Sequence, residues 1–328
     1  AGYDLAIALF ELFAFAVIVS VVVFWTRRNL MHIKRFRSAE LNGWPKLDAN
    51  LILIIELVLM FLFLGMNAAD YALQLRGVAH YSPAGSFPIS SYITPIFNSW
   101  SDGNVIAIER GLWWAHIAGI LGFLNYLYYS KHLHILLAFP NTFYASLEPK
   151  GKFENNATVT REVKAMLAME AADPNHEIER FGAKDSTDLT WVQLMNAYSC
   201  TECGRCTAAC PANQTGKLLS PRKIMMDTRD RATEISSSKG VKDVAEHTLL
   251  DHYISREELW ACTSCQACVQ ACPVNISPMG IVLDMRRSLI MEESKSPESI
   301  TTMFNNIENN GAPWAFPAAN RGDWTQDA

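Results

Sequence analysis

The sequence predicts an all-α chain in two parts: at least three membrane-crossing helices, then an α-helical domain organised around cysteines. Three observations carry this. The first 140 residues contain three long apolar stretches, eight cysteines fall within 73 residues of the second half, and helix-start signals rather than strand alternation surround them. The 328 residues suit about two domains. The expected divisions are a transmembrane domain at 1–140, a cytoplasmic connector at 141–195, the cysteine domain at 196–292 and a C-terminal docking tail at 293–328.

Leu5 to Trp25 is a run of 21 residues with one ionisable side chain, enough to cover about 30 Å of hydrocarbon as a helix. It exceeds the apolar core of a secretory signal, no basic region precedes it and no small-residue cleavage site follows, so a retained anchor is expected. Leu51 to about Leu73 and Leu112 to about Leu137 are also long enough to cross. Arg27, Arg28, Lys34, Arg35, Arg37 and Lys46 lie in the first connection, against Arg76 and Arg110 in the second. This excess makes the first connection cytoplasmic, so everything after about Pro140 is expected inside. The 74–110 loop, broken by Pro83, Gly85, Pro88 and Pro95, is left unassigned, with a surface-lying piece at Tyr92 to Trp100 as one option.

Ionisable residues inside spans are costly and are functional hypotheses by default. Here they are Glu11, Glu56, His116, His132 and His134. Glu11 is close enough to the outer end to be expected at the interface. Glu56 sits about 8 Å deep by helical rise, with no Lys or Arg beside it in sequence. It reads either as a hydrogen bond to another helix or as a proton acceptor beside a bound quinone. His116 and His134 are 18 residues apart, which on one continuous helix is five turns, one face and about 27 Å. They read either as interfacial histidines or as ligands of two stacked b hemes, each needing a second imidazole. The first two apolar stretches contain no histidine, and His32 and His80 lie in connections.

Cys200, Cys203, Cys206 and Cys210, followed by Pro211, match C-x2-C-x2-C-x3-C-P, and so do Cys262, Cys265, Cys268 and Cys272, followed by Pro273. Three thiolates at two-residue gaps wrap one cluster, while the fourth is aimed away by proline and ligates the other. One [4Fe-4S] cluster is therefore expected on Cys200, Cys203, Cys206 and Cys272, the second on Cys262, Cys265, Cys268 and Cys210. A structural zinc has no need of this repeated pattern, and disulfides are disfavoured on the cytoplasmic side. Ser220-Pro221 and Ser277-Pro278 place an N-cap before a proline, and Ser255 with Glu258 fits a capping box. The 51 residues between Cys210 and Cys262 exceed what a compact βαβ ferredoxin uses, so an α-helical dicluster ferredoxin is expected. A helical piece is expected near Val163 to Ala171. A net charge of -5 gives no basic field for nucleic acid, and no phosphate loop, dinucleotide fingerprint or nucleophile–base pair is present.

Trp113-Trp114-Ala115-His116, Tyr129-Ser130-Lys131-His132-Leu133-His134, Phe181-Gly182-Ala183 and the two cysteine motifs resemble the membrane-bound iron–sulfur oxidoreductases related to heterodisulfide reductase. That family includes proteins proposed to pass electrons from electron-transfer flavoprotein to menaquinone. Its membrane part is similar to the cytochrome b subunit of nitrate reductase, whose last helix carries two heme-ligating histidines at the spacing of His116 and His134. This sequence departs from it in offering only Met60 and Met66, not histidines, in the second stretch, and in ending without the cysteine-rich CCG domains that many relatives carry.

The resemblance implies a multi-pass electron-transfer subunit in a bacterial or archaeal cytoplasmic membrane. It would link a CCG-domain subunit or flavoprotein to menaquinone, with the aromatic tail at Trp314, Phe316 and Trp324 for docking; the quinone is expected near the inner-leaflet ends of the second and third stretches, at the level of Glu56, Lys131, His132 and His134. The alternative is an anchor and electron wire with no quinone site. A redox sensor fits less well, because it would normally use one exposed cluster instead of a crossed pair.

Overall fold

The computed structural model describes residues 2–149, 151–153, 155–169, 180–237 and 247–326. The regular elements among them are all helical, without a strand, and Leu250 and Ile254 form an isolated bridge. It divides into two compact units: Ala1–Phe143 with Tyr198–Arg205, and Tyr144–Ala197 with Cys206–Ala328.

The first unit is built on α1 (Gly2–Asn29), α2 (Trp44–Leu75), α3 (Asp102–Leu127) and α4 (His134–Phe143). α2 packs against both α1 and α3. On the α3 side, Ala68, Ala69 and Ala72 are buried with Leu73, Phe97 and Val105, the alanines being small enough to let backbones approach closely. α1 and α2 are each long and apolar enough to cross a membrane. α1 leaves Phe10, Leu12, Phe13, Phe15, Val22 and Phe24 exposed, the surface expected to face lipid rather than water.

Two expectations are corrected in this unit. Glu11 does not reach an interface: it is fully buried, accepting from the Asn67 amide at 3.0 Å and from the Ile89 and Ser90 backbone amides at 2.9 and 3.1 Å. It thereby fixes the 3-10 turns Ser90–Tyr92 and Thr94–Phe97 in the stretch left unassigned, satisfying amides that would otherwise be orphaned.

The stretch Leu112 to Leu137 is not one helix. α3 ends at Leu127, a 3-10 turn spans Lys131–Leu133 and α4 restarts at His134, so His116 and His134 do not share one helical face. The cause is Asp48 in the first turns of α2. It is buried, and it accepts from the Tyr126 hydroxyl at 2.5 Å, the Ser130 hydroxyl at 2.7 Å and the Lys131 amide at 3.1 Å. Ser130 is held extended and its hydroxyl accepts from the His132 amide, capping the new turn.

The remaining helices are α5 (Ala157–Met166), α6 (Trp191–Tyr198), α7 (Arg205–Ala209), α8 (Pro211–Gln214), α9 (Pro221–Ser237), α10 (Arg256–Ala261), α11 (Ala267–Ala271), α12 (Pro278–Arg287) and α13 (Glu298–Asn310). α5 starts and stops earlier than the Val163–Ala171 piece expected, because Asn156 caps it by accepting from the Val159 amide at 3.1 Å; residues 170–171 lie outside the described set. The Ser255–Glu258 capping box forms, and Ser277 accepts from the Gly280 amide at 3.3 Å. Ile224 and Met225 of α9, Leu249, Leu250, Ile254, Leu259 of α10, and Ile281 and Met285 of α12 are fully buried. Phe181-Gly182-Ala183 straps across α12, the Ala183 amide donating to the Asp284 carbonyl at 3.0 Å.

Candidate metal centre

The two cysteine motifs have the same local build. In the first, Glu202 and Gly204 are left-handed, with φ of 58° and 72°; in the second, Ser264 and Gln266 hold the matching positions with φ of 55° and 59°. A five-residue helix follows each, α7 and α11. Cys210 and Cys272 then stand in extended conformation, with ψ of 117° and 121°, before a proline. Left-handed conformation costs a non-glycine residue about 1–3 kcal/mol and survives where the surroundings impose it. Alternating it with right-handed residues turns successive N–H groups toward one concavity, the form of an anion-binding nest. Three non-glycine residues paying this cost in two matching loops is the local signature of a site.

Within the second unit, Cys210 lies close enough to Cys262 and Cys268 to influence both thiols, and so does Cys265. These are the four residues that the crossed pattern groups together. Burial pushes the Cys262 and Cys268 thiols up, Cys268 to about 12, so iron must displace their protons. The Ser264 amide donates to Cys262 Sγ at 3.4 Å. Arg286 braces the same loop from α12. Its Nη2 donates to the Leu259 and Cys262 carbonyls at 2.7 and 2.6 Å, its Nη1 reaches Ser264 Oγ at 3.3 Å, and its Cζ lies over the Trp260 ring, 4.9 Å from the centroid. Arg286 Nε is buried without a hydrogen-bond partner among the described residues. An orphaned donor on the side chain that braces the Cys262 loop fits a cluster, whose sulfurs accept hydrogen bonds. Among the described residues no three acidic, histidine or cysteine side chains converge on one point. A cubane does not ask them to, since each thiolate takes a different iron of the cage.

In the first unit, Glu202, between Cys200 and Cys203, is buried and ion-paired with Lys131, which also donates to the Pro45 carbonyl at 2.6 Å. The next residue, His132, brings Nε2 to 3.5 Å from Glu56 Oε1, and its ring meets that of Phe123 at a tilt, centroids 5.2 Å apart. His134 lies 5.7 Å from His132, and its Nδ1 donates to the Lys131 carbonyl at 2.9 Å. Glu56 and the two histidines expected near it are thus brought together. His116 is apart from them on α3, its Nδ1 donating to the Leu59 carbonyl at 3.0 Å. Sequence reasoning missed Asp48, Glu202 and Arg286. Asp48 was legible as an acidic residue just ahead of an apolar run; Glu202, inside the first motif, and Arg286, beyond the last cysteine, carried no signal of the partners they meet.

The profile of the 4Fe-4S dicluster domain matches residues 199–276. The chain therefore carries two [4Fe-4S] clusters. It is 28% identical over 97% of its length to the probable iron–sulfur-binding oxidoreductase FadF of Bacillus subtilis, covering 46% of that protein. It is 27% identical over 97% of its length to the EtfAB:quinone oxidoreductase of Syntrophomonas wolfei, covering 45%. A probable membrane-anchored ferredoxin of Chromohalobacter salexigens is 31% identical over 48% of this chain and 26% of its own length. The chain spans a little under half the length of the first two. No solved structure matches it. The chain is thus similar to iron–sulfur proteins of the oxidoreductase group that its motifs resemble.

Proposed function

We propose that this chain passes electrons between a redox partner on the cytoplasmic side, a CCG-domain subunit or flavoprotein, and menaquinone in the membrane. The ligand sets are Cys200, Cys203, Cys206 and Cys272 for one cluster, and Cys262, Cys265, Cys268 and Cys210 for the other. The clusters supply one-electron storage. The observation that carries the reading is a continuous set of contacts within the first unit: Glu56 beside His132, His132 next in sequence to Lys131, and Lys131 paired with Glu202 between two cluster cysteines. A quinone taking two electrons needs two protons, and Glu56 with His132 forms a proton-holding pair at the place where the cluster loop meets the apolar helices. His134 lies within reach of that pair. The name of the Syntrophomonas relative, a quinone oxidoreductase, supports the substrate class.

In this reading α1 and α2 span the membrane, and the excess of basic residues in their connection puts it on the cytoplasmic side. No heme is needed. His116 offers Nε2, but α1, α2 and the rest of α3 contain no second histidine to complete a bis-imidazole site.

Stopped-flow oxidation of the reduced clusters by a menaquinone analogue tests the reading. Glu56→Gln removes the carboxylate while keeping the shape, and positioned proton transfer contributes about 10²- to 10⁴-fold. Oxidation by quinone should slow by about 100-fold or more, while oxidation by ferricyanide, which takes no proton, should not change. Unchanged quinone rates in Glu56→Gln and in His132→Gln would leave the chain an anchor and electron wire.

A further inference from the structure

The two motifs match in backbone but not in charge. At the left-handed position ahead of the second cysteine, the first motif has Glu202 and the second has Ser264. The Glu202 carboxylate is neutralised by Lys131, so the first loop gains no net charge from the pair. The second loop is the reverse. Ser264 is neutral, and the side chain that reaches it, Arg286, is half-buried with no carboxylate partner among the described residues. Its contacts are two backbone carbonyls, a serine hydroxyl and the face of Trp260. Among these, the bond from Nη2 to the Cys262 carbonyl at 2.6 Å sets the guanidinium against a cysteine of the second motif.

A guanidinium nitrogen shut away from water is ordinarily bonded, because a buried donor of a charged group left without a partner is expensive. Here the pairing group is the one that Cys262 serves. Four thiolates around a cluster make a compact anion, and the orphaned Arg286 Nε is a donor without an acceptor until that anion is present.

We propose that Arg286 is a positioning residue whose guanidinium is the counter-charge of the cluster on the second motif, donating from Nε to its sulfur and making it the higher-potential cluster of the pair. Reduction adds one electron to the cluster and forms or breaks no bond, so a fixed positive charge beside it favours the reduced form directly. Net charge and hydrogen bonds to sulfur are established controls of cluster potential. Cys265 of this motif is exposed while Cys200 of the first is buried. The favoured electron acceptor is thus also a cluster with a ligand at the surface, where a soluble donor can approach.

The test is a redox titration followed by electron paramagnetic resonance on the anaerobically purified full chain in detergent. Cys265→Ser identifies which signal belongs to the second motif. In wild type that signal should appear at the higher potential. Arg286→Gln should make it about tenfold harder to reduce, a shift of 59 mV for one electron, with the first-motif signal unmoved and about eight irons retained per chain. Arg286→Lys keeps the charge without the planar fork and should lose less. If Arg286→Gln fails to load both clusters, the wild-type order and Arg286→Lys still decide the matter. A shift in the first-motif signal instead, no shift in either, or a wild-type order with the second motif lower would each overturn the proposal. None of these outcomes depends on whether quinone is the partner.

Discussion

At the scale of single residues, Asp185 shows how an acid outside the site holds the second unit together. Burial alone would raise its carboxyl. The Arg231 guanidinium, donating at 2.7 and 2.9 Å, together with the Ser186 and Leu249 amides at 2.8 and 3.1 Å, outweighs that and holds it below the usual carboxylate range. Arg231 is itself buried, so Asp185→Asn takes a carboxylate partner away from a cation shut off from water. The expected cost is about 3 kcal/mol, read as a lowered midpoint in urea. A carboxyl with a depressed folded pKa contributes stability that is complete above its unfolded value, about 3.9, and is lost as pH falls through the folded one. The gap between wild type and Asp185→Asn should therefore be widest near neutrality and close below about pH 4; a gap that stays constant would remove the carboxylate from the explanation. Of the residues that matter in this way, Glu56 was visible because an acid among aliphatics is conspicuous. Asp185 was not, because an acid in a polar segment looks like any other until its partner 46 positions away is known.

At the scale of elements, what was legible depended on where the deciding interaction lies. Leu5 to Trp25 forms a helix because its apolar residues leave the backbone no partner but itself, and the Ser255 and Ser277 starts are fixed within three residues of sequence. The end of α3 is decided by Asp48, 82 positions from Ser130, so periodicity ran through a break that it could not register. The strap at Phe181-Gly182-Ala183 is a third case. A Cβ at Gly182 would lie 2.3 Å from both the Asp284 carbonyl oxygen and the Ser288 amide nitrogen, backbone atoms of α12 and the residue after it that cannot swing aside. Gly182→Ala should push the strap off α12, weakening the bonds from the Phe181 and Gly182 amides to Glu292 at 2.9 and 3.1 Å. Overpacking of this kind costs about 1–3 kcal/mol. The measurement is hydrogen exchange at Phe181 to Ala183, expected to accelerate; native protection there in Gly182→Ala would show that α12 accommodates the methyl.

At the scale of the whole molecule, the cysteine pattern makes a claim that no single motif can test. If each motif held its own four thiolates, replacing Cys210 would damage the cluster of the first motif. In the crossed arrangement Cys210 serves the second, and its thiol lies close enough to influence Cys262 and Cys268. Loss of one thiolate ligand changes the magnetic signal of the cluster that it served, and metal loss in such domains is coupled to unfolding. Cys210→Ser should therefore alter the same resonance as Cys265→Ser, and Cys272→Ser the same one as Cys203→Ser. Were Cys210→Ser and Cys203→Ser to change one signal together, the assignment of ligands would have to be redrawn motif by motif. Arg286 would then act on a cluster served by Cys272 rather than Cys210.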